Sequence, residues 1–322
     1  MQLAEKFKNY VVAGGIINKE EAEALYISPL EELRRTANEL RLHFCGNSFD
    51  LCTIINGKSG SCSEDCKYCA QSAHYCTNLE EYPLLDSDTV LKQAVYNEKS
   101  GVLRFSIVTS GRNLDDPEIE VISDIYSSLS KNCTMSLCAS HGLLRFKQLK
   151  KLKESGVSRY HCNLETSRRY FNEICTTHSY EDKLRTIKEA MKAGLEVCSG
   201  GIMGIGENIG DRIDMALELR SLGIRSIPIN LLNPIKGTPL ENLTPITADE
   251  AVRITATYRF ILPYAAIRMA GGRSLLKDNG RSLLLSGVNA AITGDMLTTC
   301  GTGISEDIVM LKDLGFEVRS HE

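Results

Sequence analysis

Residues Thr134–Leu164 read TMSLCASHGLLRFKQLKKLKESGVSRYHCNL. The segment Thr134–Cys138 has the length and side chains of a short strand. Leu143–Glu154 then sets apolar residues among lysines at helical spacing, and Gly156 stands where a helix hands over to the next strand, Ser158–Leu164. Strand, helix and strand in this order make one parallel β/α unit. Outward in both directions the unit recurs. Strands are expected at Leu51–Asn56, Val102–Val108, Leu195–Ile202, Ile224–Leu231, Ala265–Met269 and Val288–Ile292. Helices are expected at Val90–Glu98, Ile119–Leu129, Glu181–Ala193, Asp211–Leu222, Ala248–Leu262 and Leu275–Leu285. Gly194 and Gly223 repeat the punctuation of Gly156. Eight alternations imply a parallel sheet closed as a (β/α)8 TIM-type barrel.

The first 45 residues are rich in Glu, Lys, Ala and Leu, with Leu30, Leu33, Ala37 and Leu40 at three- and four-residue steps. They read as a helical extension before a barrel over 46–322 that ends in a capping segment. A length of 322 residues with 43% hydrophobic content permits one large domain. A net charge of −4 and a pI near 6.0 give no basic footprint for nucleic acid. No apolar run approaches the roughly 20 residues that cross a bilayer, and the N-terminus lacks a signal-peptide pattern, so a cytoplasmic protein is expected.

There are twelve cysteines. In a reducing compartment that number points to metal chemistry rather than disulfides. Three are clustered after the first strand, in Cys62-Ser63-Glu64-Asp65-Cys66-Lys67-Tyr68-Cys69. Three thiolates in one loop suit three corners of a [4Fe–4S] cubane and leave the fourth iron free. Structural zinc, with His74 as a fourth ligand, is the alternative. Strand parity supplies a second signal. Barrel interiors are ordinarily filled by Val, Ile and Leu. Here one parity class holds Arg104, Ser106, Ser136, Cys138, His161, Asn163, Glu165, Glu196, Cys198, Asn230 and Arg268, which describes a buried polar chamber. The glycine run Gly200–Gly206 lacks the GxGxxG order and follows the fifth strand, so it does not read as a dinucleotide loop.

The cysteine motif, its aromatic residue and its place after the first barrel strand resemble the radical S-adenosylmethionine superfamily. The segments GSCSEDCKYCAQS, RYHCNLETS, TTHSYEDKLRTIKEA, GLEVCSGGIMGIGE, IPINLLNPIKGTPL, AIRMAGGR and MLTT extend the resemblance to the biotin synthase family. The resemblance implies sulfur insertion into dethiobiotin, driven by a 5′-deoxyadenosyl radical from S-adenosylmethionine. It implies a cluster on Cys62, Cys66 and Cys69. Tyr68, Asn163, Glu165 and the backbone of Gly200, Gly201 and Ile202 would contact S-adenosylmethionine. His161, Asn163 and Asn230 would face the ureido ring, and Thr298 and Thr299 the carboxylate tail. Cys138, Cys198 and Arg268 would hold an auxiliary iron–sulfur cluster that donates the sulfur. A flavodoxin or ferredoxin donor and a homodimer are implied as well. The nearest alternatives are another radical enzyme on this barrel, such as a hydrogenase maturase or a methylornithine-forming enzyme, and a non-enzymatic iron-storing or electron-carrying protein.

Two positions depart from the family pattern. His161 stands where asparagine is usual, and Ser106 stands where the auxiliary cluster has a cysteine. A serine oxygen is a poor substitute for a thiolate. Cys133 and Cys162 have the wrong parity to replace it. Cys300, next to Thr299, is the expected replacement, giving a four-iron cluster in place of [2Fe–2S].

Overall fold

The computed structural model describes residues 2–298 and 301–320. Three helices open the chain, α1 (Leu3–Val12), α2 (Lys19–Tyr26) and α3 (Leu30–Cys45). Leu33, Ala37 and Leu40 on α3 are fully buried. This face packs on α10 (Ala248–Ile261), and α2 packs on α10 and α9 (Ile209–Ser221).

The barrel follows, with β1 (Ser48–Lys58), β2 (Arg104–Thr109), β3 (Ser136–Ser140), β4 (Val157–His161), β5 (Glu196–Cys198), β6 (Gly201–Met203), β7 (Ser226–Leu231), β8 (Ala266–Met269) and β9 (Ala290–Ile292). Every pairing between these strands is parallel, and β1 returns to β9 through Asp50↔Ala290 and Cys52↔Ile292, which closes the sheet. The crossover helices are α4 (Ser87–Lys99), α5 (Asp116–Asn132), α6 (Phe146–Glu154), α7 (Phe171–Ile174), α8 (Tyr180–Lys192), α9 and α10. Side-chain caps start several of them. Ser179 accepts from the Asp182 backbone while Asp182 reaches back, and Asp115 with Glu118 and Asn208 with Asp211 do the same. Gly156, Gly194 and Gly223 leave their helices with φ of +101°, +80° and +71°.

Two expectations are corrected. The fifth strand is not continuous. It breaks at Ser199–Gly200 into β5, which pairs with β4 and through Cys198 with β7, and β6, which pairs with β7. A Cβ on Gly200 would lie 1.9 Å from the Pro228 carbonyl oxygen, and one on Gly201 would lie 2.2 Å from that of Glu165. The glycines permit this approach, and the approach bends the strand. The helix expected at Leu275–Leu285 is a 3₁₀ turn at Arg273–Leu275 and a short α11 (Arg281–Leu284). Asn279 and Gly280 between them adopt φ of +50° and +81°, and the Asp278 carboxylate takes the Gly280 and Ser282 amides, which stops propagation.

After α12 (Ile304–Asp313) the chain adds β10 (Glu317–Val318) beside the start of β1. The apolar core lies between the outward faces of the strands and the helices, with Phe105, Ile107, Ala139, Ile227, Ile229 and Ile267 fully buried. Within the described residues no helix is long and apolar enough to cross a membrane.

Candidate active site in the barrel chamber

The inward faces enclose a cavity of about 420 Å³ that opens at the carboxyl ends of the strands. Cys62, Cys66 and Cys69 line its mouth. Arg104, Ser106, Cys138, His161, Asn163, Glu165, Cys198, Asn230 and Arg268 line it below, with Thr298 at the edge. Thr299 and Cys300 lie outside the described residues. Glu196 and Ser136 are corrections. Glu196 is 50% exposed and binds Arg159 at 2.7 Å, and neither residue lines the cavity. Both lie at the amino ends of their strands, beneath the chamber. Parity told inside from outside but not height along the barrel.

The cysteine loop is folded by its own backbone. Cys62 donates to Gln71 at 2.9 Å, Ala73 donates back to Cys62 at 2.8 Å, and Cys69 donates to Cys66 at 2.9 Å. Burial pushes the Cys69 thiol up to about 11, with the Gln71 amide opposing. No described cysteine is in a disulfide. His74, considered as a zinc ligand, is exposed and turns Nε2 to the Ser63 carbonyl at 3.1 Å. Tyr68 sits between Cys66 and Cys69 and lines the cavity.

Beside this loop the backbone forms a cradle. The Asn163 amide oxygen accepts from Gly200 at 3.0 Å and its nitrogen donates to Glu165 at 3.2 Å. Glu165 holds φ of +70°, uncommon for a non-glycine residue. Its amide and carbonyl bond Gly200 and Ile202. Ile202 lines the cavity, while Gly200 and Gly201 are buried behind it. Asn230 is already employed by the protein. It donates to the Gly201 carbonyl at 3.2 Å and accepts from Gly271 at 2.9 Å, leaving one N–H and one lone pair for a ligand.

Lys183 was missed by the sequence reading. It lines the same cavity. Burial would depress its ammonium, but Cys162, the Glu165 carboxylate and the thiols of Cys66 and Cys175 hold it above the ordinary lysine value. A clue was present in its position, because a cation in the first turn of α8 opposes the helix dipole.

The floor contains a second group of thiols. Cys52, Cys138 and Cys198 line the cavity together with Arg268. Burial pushes the Cys52 and Cys138 thiols up, with Arg268 opposing on both. Burial also acts on Cys198, but His161, Arg268 and Arg159 outweigh it and hold that thiol at about 6. The Asp50 carboxylate, bound to Arg104 Nε at 2.8 Å and Arg268 Nη2 at 3.1 Å, lies under them. Cys52 was also missed. The parity class was drawn from the second strand onward, whereas barrel closure puts Cys52 of β1 against Arg104 on one side and Ile292 on the other.

Three thiols in one loop and an open cavity beside them, lined by Asn163, Glu165 and Ile202, fit a cubane cluster and a nucleoside cofactor. A model of the radical SAM superfamily matches residues 58–219, the segment that carries this loop and cradle. The fold and site thus define a radical S-adenosylmethionine enzyme. The remaining strands, residues 228–317, match the Biotin and Thiamin Synthesis associated domain. Biotin synthases from Clostridium botulinum (strain Langeland) and Akkermansia muciniphila are each 56% identical to the chain. The first match covers 97% of this chain and 98% of the relative, and the second covers 99% of both. The chain belongs to the biotin synthase family. Among solved structures, methylornithine synthase superposes with a TM-score of 0.86 at 17% identity over 98% of each chain. The hydrogenase maturase HydG from Carboxydothermus hydrogenoformans gives 0.82 at 16% identity, covering 97% of this chain and 78% of its own. These two likenesses concern the fold alone.

Proposed function

We propose that the chamber converts dethiobiotin to biotin, and that the inserted sulfur is drawn from an auxiliary iron–sulfur cluster on the chamber floor. Cys62, Cys66 and Cys69 would hold the upper [4Fe–4S] cluster, which when bound would supply the electron for reductive cleavage of S-adenosylmethionine. Tyr68, Asn163, Glu165 and the backbone of Gly200–Ile202 position that cofactor. Lys183, a half-buried ammonium lining the cavity, is suited to its carboxylate. The free N–H of Asn230, with Asn163 and His161, orients the ureido ring, and Thr298 and Thr299 bind the carboxylate tail.

One observation carries the reading: Cys52, Cys138 and Cys198 converge with Arg268 in the same cavity whose mouth holds the three-thiol loop. A single radical-generating cluster does not require them. Cys52, Cys138 and Cys198 would hold a four-iron auxiliary cluster as the sulfur source, with Arg268 beside it. Ser106 lines the cavity but offers only a hard oxygen. A flavodoxin or ferredoxin as electron donor, a homodimer and a reducing cytoplasm complete the proposal.

Iron analysis and Mössbauer spectra of anaerobically reconstituted protein test it. The wild type is expected to bind about eight irons per chain, and Cys52→Ala about four. If Cys300→Ala alone halves the iron, Cys300 is the third ligand and Cys52 is not. About six irons in all three proteins would restore a [2Fe–2S] cluster. Calorimetry with dethiobiotin in the presence of S-adenosylmethionine tests the substrate, and absence of binding would overturn it.

A further inference from the structure

At the rim of the cavity, Cys66 meets a thiol from outside its own loop. The segment Ile174–Ser179 is strapped to the cysteine loop. Lys67 donates to the Ile174 carbonyl at 2.9 Å, and the Asp65 carboxylate accepts from the Thr176 amide at 2.8 Å and the Thr177 amide at 3.2 Å. These bonds set the Cys175 sulfur 3.7 Å from that of Cys66. His178 joins the pair, with Nε2 3.8 Å from the Cys175 sulfur. Cys66 and His178 line the cavity, and Cys175 is buried beside them.

We propose that Cys66, Cys175 and His178 bind a single zinc ion when the chain lacks its upper cluster, and that the two occupants exclude each other. The exclusion rests on Cys66 being a cluster ligand, whereas the zinc site does not. A donor atom from each of the three residues lies within 4.8 Å of the other two, and among the described residues no other three Cys, His, Asp or Glu side chains come this close. Cys62, Cys66 and Cys69 therefore do not gather their sulfurs for one ion, as suits ligands of separate irons. Two thiolates at about 2.3 Å on a tetrahedral ion are about 3.8 Å apart, and a thiolate and an imidazole nitrogen about 3.6 Å. The sulfurs of Cys66 and Cys175, and Nε2 of His178, stand close to those spacings.

The surroundings hold the donors in place. Glu64 Oε2 lies 2.5 Å from His178 Nδ1, the carboxylate–histidine pairing that orients imidazole ligands. Thr177 Oγ1 donates to the same carboxylate at 2.9 Å, and Phe171 packs edge-on against the imidazole at 5.6 Å. Two thiolates neutralise a divalent ion. The fourth position faces the cavity, where an exchangeable ligand completes the tetrahedron and the ion has its way in and out.

Cobalt(II), a spectroscopic substitute for zinc, tests the site in the full-length chain prepared without iron. About one cobalt per chain is expected, with the thiolate charge-transfer and visible bands of a four-coordinate ion, and added zinc should abolish them. Cys175→Ala and His178→Gln are each expected to weaken cobalt binding at least about tenfold, whereas Cys62→Ala and Cys69→Ala retain it. A second measurement needs no variant. Wild-type chain loaded with one equivalent of zinc, then given ferrous iron and sulfide anaerobically, is expected to assemble its upper cluster at least about tenfold more slowly than zinc-free chain. The electron paramagnetic resonance signal that S-adenosylmethionine perturbs reports that cluster. No cobalt binding, binding undiminished in Cys175→Ala, or binding lost in both Cys62→Ala and Cys69→Ala would overturn the site. Unhindered assembly in the zinc-loaded chain would overturn the exclusion. Failure of the ligand assignment reads differently, as an upper cluster that survives Cys66→Ala.

Discussion

The grouping of Cys62, Cys66 and Cys69 at the cavity mouth was legible because it is local to one loop. A C-x3-C-x2-C spacing within one loop needs no tertiary information to suggest a common metal. Replacing any one of them with alanine is expected to abolish reductive cleavage of S-adenosylmethionine, measured as 5′-deoxyadenosine formed under dithionite. Normal cleavage by any one of the variants would end the assignment. Asn230 is different, because the sequence showed its parity but not its bonds. It joins β6 to the turn after β8, so Asn230→Ala removes two backbone contacts as well as the proposed ligand contact. Dethiobiotin affinity should fall about tenfold or more, as expected for unpaired buried polar groups. Cofactor affinity should fall with it by a smaller factor, because the Gly201 carbonyl is freed. Calorimetry on each ligand separates the two losses, and an intact dethiobiotin affinity would exclude the contact.

At the scale of elements, hydrophobic periodicity located the strands and crossover helices within a few residues, because each element is amphipathic over several turns or pleats. It failed where a few atoms outweigh the period. The break between β5 and β6 is imposed by the approach of Gly200 to the Pro228 carbonyl and of Gly201 to Glu165, contacts between distant segments. The interruption at Asn279–Gly280 arises from an aspartate taking two amides that a helix would otherwise use. Gly200→Ala tests the first account. Its Cβ would meet the Pro228 carbonyl oxygen at 1.9 Å, and backbone cannot move aside as a flexible side chain can. The variant is expected to retain the iron of its three-thiol loop but to bind S-adenosylmethionine at least tenfold more weakly, because the Asn163–Gly200 bond and the cradle shift together. Wild-type affinity would mean that the cradle does not carry the cofactor.

For the whole molecule, closure of the barrel and the meeting of its two ends had no local signature. β10 has two residues and pairs with the start of β1 across most of the chain, so no periodicity could announce it. The same closure brings Asp50 of β1 to the centre of the floor, where it binds arginines of β2 and β8 and lies 4.0 Å from Arg159 of β4. Four strands from around the barrel therefore meet at one carboxylate. Burial opposes its ionisation, but Arg268 and Arg104 outweigh the burial and hold its pKa at about 2, below the ordinary 3.8. A depressed acid contributes stability above its unfolded pKa and loses it as pH falls through the folded one. The contribution is thus complete above about pH 4 and is withdrawn between there and about pH 2, with a size of about 2 kcal/mol from the shift alone. Asp50→Asn keeps the shape and removes the charge at every pH. Its cost at neutral pH is expected to be larger, about 3–5 kcal/mol, because buried guanidinium groups lose their counter-charge. Urea denaturation of the anaerobically prepared protein at pH 7 and pH 4 measures the cost of the substitution and checks that the withdrawal has not begun by pH 4. The wild type should be lowered only slightly between these two pH values by Asp50 itself, and the gap between wild type and Asp50→Asn should persist at pH 4. A gap already absent at pH 4 would mean that Asp50 is not held ionised by the arginines, and that the barrel floor is closed by other contacts.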